Sequence, residues 1–210
     1  MLRILVADDH AVVRAGIKQI LAGTSDIVVG GEASDGNQAL NQARTAAYDL
    51  VLLDIAMPGM NGLEVLKQLK LERPGLPVLM LSMYPEEQFA VRTLKAGASG
   101  YLTKQSAPSE LIAAIRKVCR GGKYVTSSLA ESLAVYLESD SDRPPHELLS
   151  DREYEVMLMI ASGKTVTVIA EELSLSVKTI STNRSRALRK MGMKTNAELT
   201  YYAIKHGLVQ

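Results

Sequence analysis

Over the first 122 residues, short apolar runs alternate with longer amphipathic stretches. Residues 2–7 (LRILVA), 27–29 (IVV), 50–53 (LVLL), 78–81 (VLML) and 99–102 (SGYL) have the length of strands. Runs this apolar belong to strands buried on both faces. The stretches 12–21, 37–46, 62–72, 86–96 and 109–120 between and after them have helical length and period. The alternation predicts an α/β unit, a (βα)5 doubly wound parallel sheet with helices on both faces, ending near Gly122. Met57-Pro58-Gly59 and Arg73-Pro74-Gly75 are turn signals within it, and Pro108 stands near the start of its last helix.

Beyond Gly122 the pattern becomes helical. Residues 127–137 predict a helix with Leu129, Leu133 and Leu137 on one face, free to pack on either neighbour. Residues 139–145 (SDSDRPP) are acidic, small and proline-rich, as exposed linkers are. Ser150 with Glu153 three residues on predicts a capping box, opening a helix whose apolar face is Val156, Met157 and Ile160 and which runs to Gly163. Helices at 166–173, 177–191 and 196–206 follow, the first two joined by the tight Ser174-Leu175-Ser176. Four helices of this kind predict a small all-α helix-turn-helix module. The expected organisation is a domain at 1–122, a linker with a short helix at 123–148 and a domain at 149–210.

Composition fits two compact domains: 210 residues, 47% hydrophobic and 22% charged, against about 100 to 200 residues per domain. No apolar run reaches the ~18 residues that span a bilayer, and no signal-peptide core follows Met1, so a cytoplasmic protein without membrane contact is expected. The single Cys119 has no partner for a disulfide and is expected as a buried core thiol. Net charge is only +1, but it is unevenly spread: Lys+Arg against Asp+Glu is 13 to 12 over residues 1–122, 2 to 5 over 123–149 and 9 to 6 over 150–210. The C-terminal part is the basic one.

In an open parallel sheet, ligands bind beyond the carboxyl ends of the strands. Asp8, Asp9, Asp54, Ser82 and Lys104 all fall at or just past such ends. A lone Asp there is ordinarily a helix cap and a lone Lys a solvated charge; the five together call for another account. Crowded carboxylates need a hard cation, and Mg2+ takes oxygen ligands while keeping positions open for a phosphoryl group. Lys104 offers a fixed charge and Ser82 a hydroxyl to the phosphoryl oxygens, which leaves Asp54 as nucleophile and Asp8 and Asp9 as metal ligands. His10 beside the pair is expected at the surface, at a helix start.

At these positions the chain becomes specific. VADDH, LVLLDIAMPGMNG, LMLSMY and GYLTK make residues 1–122 similar to a response-regulator receiver domain, a flavodoxin-like fold. The resemblance implies phosphorylation of Asp54 by a partner sensor histidine kinase, with Asp9 binding Mg2+ directly, Asp8 through water and Ala56 through its backbone carbonyl. It also implies that Ser82 and Tyr101 are a switch pair, the hydroxyl moving toward the phosphate and the ring turning inward. Tyr101 taken alone is a half-buried strand aromatic. Gln105 stands where many receivers have a proline, so the resemblance gives no ground for a cis peptide there.

From Val177 to Lys194 the chain has six Lys or Arg and no acid. On a helical wheel Val177, Ile180, Ala187, Leu188 and Met191 fall on one side and Lys178, Thr179, Thr182, Ser185, Arg186 and Arg189 on the other. One face packs and the other is free for a major groove. Residues 149–210 resemble the C-terminal domain of LuxR/NarL-type regulators, through LSDREYEV, IAEELSLSVKTISTNRSRALRKMG and KTNAELTYYAIKHGLV. The resemblance implies that Ser181, Thr182 and Ser185 face the bases of promoter DNA, with Lys178, Thr179, Arg186, Arg189 and Lys190 nearer the backbone. It implies a homodimer through the last helix, to which Tyr201, Tyr202 and Ile204 contribute unless they serve core packing. Half-sites would then stand about one turn, ~10 to 10.5 bp, apart. Short hydroxyls in place of long donors, and Asn183 where His or Tyr is frequent, shift readout toward DNA shape.

The whole chain therefore reads as a phosphorylation-controlled transcription factor. A phosphatase of the haloacid dehalogenase type needs a second Asp two residues after the nucleophile, and that position is Ala56; slow self-hydrolysis, not enzymatic turnover, is expected. A receiver used only for dimerisation would lack a pocket Asp or Lys, and none is missing.

Overall fold

The computed structural model describes residues 1–126, 129–131 and 144–209. It divides into two compact units, Met1–Leu133 and Ala134–Gln210.

The first unit is the predicted sheet. β1 (Leu2–Ala7), β2 (Ile27–Ala33), β3 (Leu50–Asp54), β4 (Val78–Ser82) and β5 (Gly100–Thr103) are all parallel, in the order β2-β1-β3-β4-β5. The helices between them are α1 (Ala11–Ala22), α2 (Gly36–Thr45), α3 (Gly62–Glu72) and α4 (Glu86–Lys95), and α5 (Pro108–Cys119) closes the unit. Ile4, Val6, Leu50, Leu52, Leu79 and Leu81 pack with Ile17 and Leu21 of α1 and with Leu111, Ile115 and Val118 of α5. The alternate strand residues Leu5, Val51, Leu53 and Met80 are equally buried, which is why these strands read as continuous apolar runs rather than alternating ones.

One departure from the sequence reading in this unit has a clear cause. β2 runs on through Gly30-Gly31, which look like a turn; the register with β1 shifts there, and a Cβ on Gly31 would fall 2.2 Å from the Tyr48 hydroxyl. The glycine pair marks an irregular strand under a close neighbour, not a strand end. Beyond Gly122 the chain stays on the first unit: the Tyr124 N–H donates to Ser99 O (2.9 Å), forming a bridge beside Gly100, and Leu129 is buried. Of the helix expected at 127–137, residues 129–131 are helical and the rest lies outside the described residues.

The second unit is all helical: a 3-10 turn (Pro145–Leu148), then α6 (Asp151–Ala161), α7 (Val166–Glu172), α8 (Val177–Lys190) and α9 (Asn196–Lys205). The Ser150–Glu153 capping box is formed. α6 packs against α7, α8 and α9, so every residue from 153 to 161 is buried rather than the single face expected. Val177 is a correction. It is 49% exposed while Ile180 and Ala187 are fully buried, because it is the first residue of α8 and precedes the turn that packs.

Cys119 is half-buried rather than enclosed, although burial still pushes its thiol up to about 11, with the Asp49 charge adding to it. Among the described residues no peptide bond is cis and no helix is long and apolar enough to cross a membrane.

Candidate phosphorylation pocket and nucleic-acid interface

The sheet order places the ends of β1 and β3 side by side, with β4 and β5 next along. Asp8 directly follows β1, Asp54 ends β3, Ser82 ends β4 and Lys104 directly follows β5. Asp8, Asp54 and Ser82 are at most 1% exposed. Lys104 reaches across the sheet end, its Nζ 2.7 Å from Asp54 Oδ2 and 2.8 Å from Asp8 Oδ2. Its own N–H donates to Ser82 O (2.7 Å), which ties the last two strand ends together.

The loop after β3 is shaped by glycine. A Cβ on Gly62 would lie 1.8 Å from the Asp54 carbonyl oxygen, so α3 can begin only with this residue bare. The Asn61–Glu64 capping box fixes that start, and the Ala56 N–H donates to Asp54 Oδ1 (3.3 Å). The Ala56 carbonyl accepts no backbone N–H among the described residues.

Burial raises the Asp54 carboxyl to about 6; Asp8 pushes the same way, while Lys104 and the Ala56 N–H oppose it. Burial pulls the Lys104 ammonium down, but Asp54 and Asp8 outweigh it and hold it above its ordinary range.

The acids also suit a cation. Asp8, Asp9, His10 and Asp54 each offer a ligand atom, all within 4.8 Å of one another. Asp8 Oδ2 and Asp9 Oδ1 are buried oxygens that accept no hydrogen bond of ordinary geometry, although Lys104 and His10 stand at ion-pair distance from them. Unused lone pairs on hard oxygen donors fit a small divalent cation. His10 is at the surface as expected, its side chain 63% exposed at the N-cap of α1.

Ser82 and Tyr101 meet at Tyr84, which sequence reasoning missed. Ser82 Oγ accepts from the Tyr84 N–H (3.0 Å) and the Tyr101 hydroxyl donates to the Tyr84 carbonyl (2.8 Å). Tyr101 is fully buried rather than half-buried, and the Tyr84 carbonyl gives its hydroxyl a partner inside. Arg14 was also missed: its guanidinium donates to Asp8 O (2.7 Å) from α1. Both act through backbone groups, which leave no trace in side-chain patterns.

On α8 the residues expected to meet DNA lie along the open face, apart from Ser181. Lys178, Thr179, Thr182, Ser185, Arg186, Arg189 and Lys190 are exposed and Ser181 is half-buried. The short polar side chains are turned onto the helix itself: Thr182 donates to Lys178 O (2.8 Å), Ser185 to Ser181 O (2.9 Å) and Asn183 to Thr179 O (3.1 Å). Lys190 Nζ lies 2.5 Å from Glu153 Oε2. On α9, Tyr201 and Ile204 are 70% and 56% exposed, whereas the Tyr202 hydroxyl meets His146 Nδ1 at 2.8 Å.

Two known protein families match separate parts of the chain. Residues 4–116 match the model of the response regulator receiver domain, and residues 147–203 that of the bacterial regulatory proteins of the luxR family. The chain is 41% identical to the response regulator UvrY of Escherichia coli (strain K12) over 209 residues, covering 99% of this chain and 96% of that protein. It is 38% identical to the response regulator GacA of Pseudomonas protegens, covering 100% of this chain and 98% of that one. RcsB from Salmonella enterica serovar Typhimurium, solved on the rprA promoter with the phosphomimetic BeF3-, is 28% identical with a TM-score of 0.66, over 96% of this chain and 97% of that one. The chain belongs to the response regulators of the LuxR/NarL type, a receiver joined to a LuxR-family helix-turn-helix domain.

Proposed function

We propose that this phosphorylation-controlled, DNA-binding transcriptional regulator takes its phosphoryl group on Asp54 from a sensor histidine kinase. The observation that carries the assignment is Lys104, whose ammonium stands 2.7 Å from Asp54 and 2.8 Å from Asp8 beside the acid cluster. An Asp54 oxygen forms a P–O bond as the donor's P–N bond breaks, and the electron pair leaves on the imidazole. Asp54 must be ionised to attack, so Lys104 works against the burial that raises it. Once the phosphoryl group is in place, Lys104 and the Ser82 hydroxyl hold its oxygens. Asp8 and Asp9, with Asp54 and the Ala56 carbonyl, would hold Mg2+, which when bound neutralises charge on the phosphoryl oxygens. Ala56 offers no carboxyl to protonate a substrate's leaving oxygen or to activate water against the aspartyl phosphate, so the protein acts as a timed signal and not as a turnover enzyme.

The output is promoter DNA bound as a homodimer in the cytoplasm. RcsB, a relative, has been solved as dimers on DNA. Here Ser181, Thr182 and Ser185 face the bases and Lys178, Thr179, Arg186 and Arg189 lie nearer the phosphates, while Lys190 stays with Glu153 and the exposed Tyr201 and Ile204 of α9 lie on the dimer surface. The test is Asp54→Asn. It should abolish radiolabel transfer from a small phosphodonor and leave DNA affinity unresponsive to that donor. A variant whose affinity still responded as wild type does would refute the coupling.

A further inference from the structure

The loop that holds Ser82 leads directly into a contact with the start of the linker. Tyr84 is bonded to Ser82 through its N–H and to Tyr101 through its carbonyl. Glu86, two residues on, is the first residue of α4. Its Oε2 accepts the Thr126 hydroxyl proton at 2.5 Å. The same hydroxyl accepts the Leu129 N–H (3.2 Å), and the Thr126 carbonyl accepts the Ala130 N–H (3.0 Å). Thr126 thus caps the helical turn at 129–131 with its hydroxyl used as donor and acceptor together. Neighbouring bonds tie this segment to the far edge of the sheet and to α5: Tyr124 N–H to Ser99 O, Lys123 Nζ to Ala98 O (2.6 Å) and the Tyr124 hydroxyl to Glu110 (2.8 Å). Glu86 ties it to α4.

We propose that Glu86 is a latch through which the phosphorylation pocket controls the linker. The inference rests on Asp54 as phosphoacceptor. Ser82 accepts the Tyr84 N–H, so its own hydroxyl proton is the one it offers to a phosphoryl oxygen. Donating it draws Ser82 toward Asp54 and draws Tyr84 with it, through the Tyr84 N–H that Ser82 Oγ accepts. The head of α4 follows, and the Glu86–Thr126 bond opens. Thr126 then loses its charged partner, and the turn at 129–131 is released from α4 while Tyr124 keeps its root on the sheet. A net hydrogen bond to a charged group is worth about a tenfold change in such an opening equilibrium.

Amide exchange at Leu129 and Ala130, followed by NMR on the full chain with and without Mg2+ and trifluoroberyllate, reads the latch directly. Wild type and Thr126→Ser, which keeps the hydroxyl, should exchange about tenfold faster at both amides when the mimic binds. Glu86→Ala should already exchange fast without the mimic, and show no further rise although it binds the mimic as wild type does. Glu86→Gln retains an acceptor oxygen and should fall between the two. The latch is overturned if Glu86→Ala responds as wild type does, or if wild type binds the mimic with both amides unmoved. Failure of wild type to bind the mimic at all overturns the Asp54 reading, and the latch with it.

Discussion

At the scale of single residues, the pocket tolerates little because a backbone oxygen lies where a side chain would grow. Alanine for glycine near a helix start ordinarily gains up to about 1 kcal/mol. At Gly62 the added Cβ would sit 1.8 Å from the Asp54 carbonyl oxygen, and overpacking of that kind costs roughly 1–3 kcal/mol. The clash wins, so Gly62→Ala should lower the urea midpoint and also slow phosphorylation, since the atom displaced belongs to Asp54; unchanged phosphorylation in the folded variant would contradict this. Cys119 makes an opposite case, a residue protected by its surroundings. Its thiol is raised from 9.0 to about 11, so at pH 8 its thiolate should be about a hundredfold scarcer than in the unfolded chain. Iodoacetamide should therefore alkylate folded protein far more slowly than protein in urea, and the gap should close as pH rises toward 11. Asp8, Asp54, Ser82 and Lys104 were legible because the chemistry needs their side chains at strand ends. Tyr84 and Arg14 were not, because the one works through its backbone and the other through a bond to the backbone of Asp8.

At the scale of elements, start signals were read more reliably than faces. The capping box Ser150–Glu153 was written in the sequence and is formed in full; Ser150→Ala should cost about 1 kcal/mol, seen as a lower denaturant midpoint at unchanged slope. The helix it opens was misread as amphipathic. α6 is surrounded by three neighbours, and burial on all sides erases the period by which one face is recognised. β2 was cut short for a related reason: Gly30-Gly31 serve a close approach by Tyr48, and composition alone does not separate that from a turn. Glu153 shows how one side chain can bind elements together, since it both closes the cap on the Ser150 N–H (2.8 Å) and receives Lys190 from the end of α8. Its pairing with Lys190 holds the carboxyl below its ordinary range despite burial. That contribution to stability is present above the unfolded value of 4.5 and is lost as pH falls through the lower folded one.

At the scale of the whole molecule, a net charge of +1 gives no long-range attraction to DNA. Binding must draw on the local excess, and the cations of α8 differ in what they already touch: Arg184 donates to Asn196 Oδ1 and Lys190 pairs with Glu153, whereas Arg186 and Arg189 stand exposed. Each phosphate neutralised adds about 0.9 to the slope of log K against log salt. Arg189 is exposed on α8, so Arg189→Ala should lower the slope by about that amount and weaken binding more at low salt than at high. Lys190 lies in an ion pair with Glu153, and moving to a phosphate would leave a buried carboxylate without its partner, which costs more than an exposed contact returns. Lys190→Ala should therefore leave the salt slope unchanged while lowering the unit's thermal stability. Titrating each variant, and wild type, with one selected DNA duplex between about 50 and 200 mM salt separates the roles, because one lost contact changes affinity by roughly threefold across that range. A drop in slope for Lys190→Ala equal to that of Arg189→Ala would show that DNA takes Lys190 from Glu153. The recognition helix would then be held by α6 only until it reaches the groove.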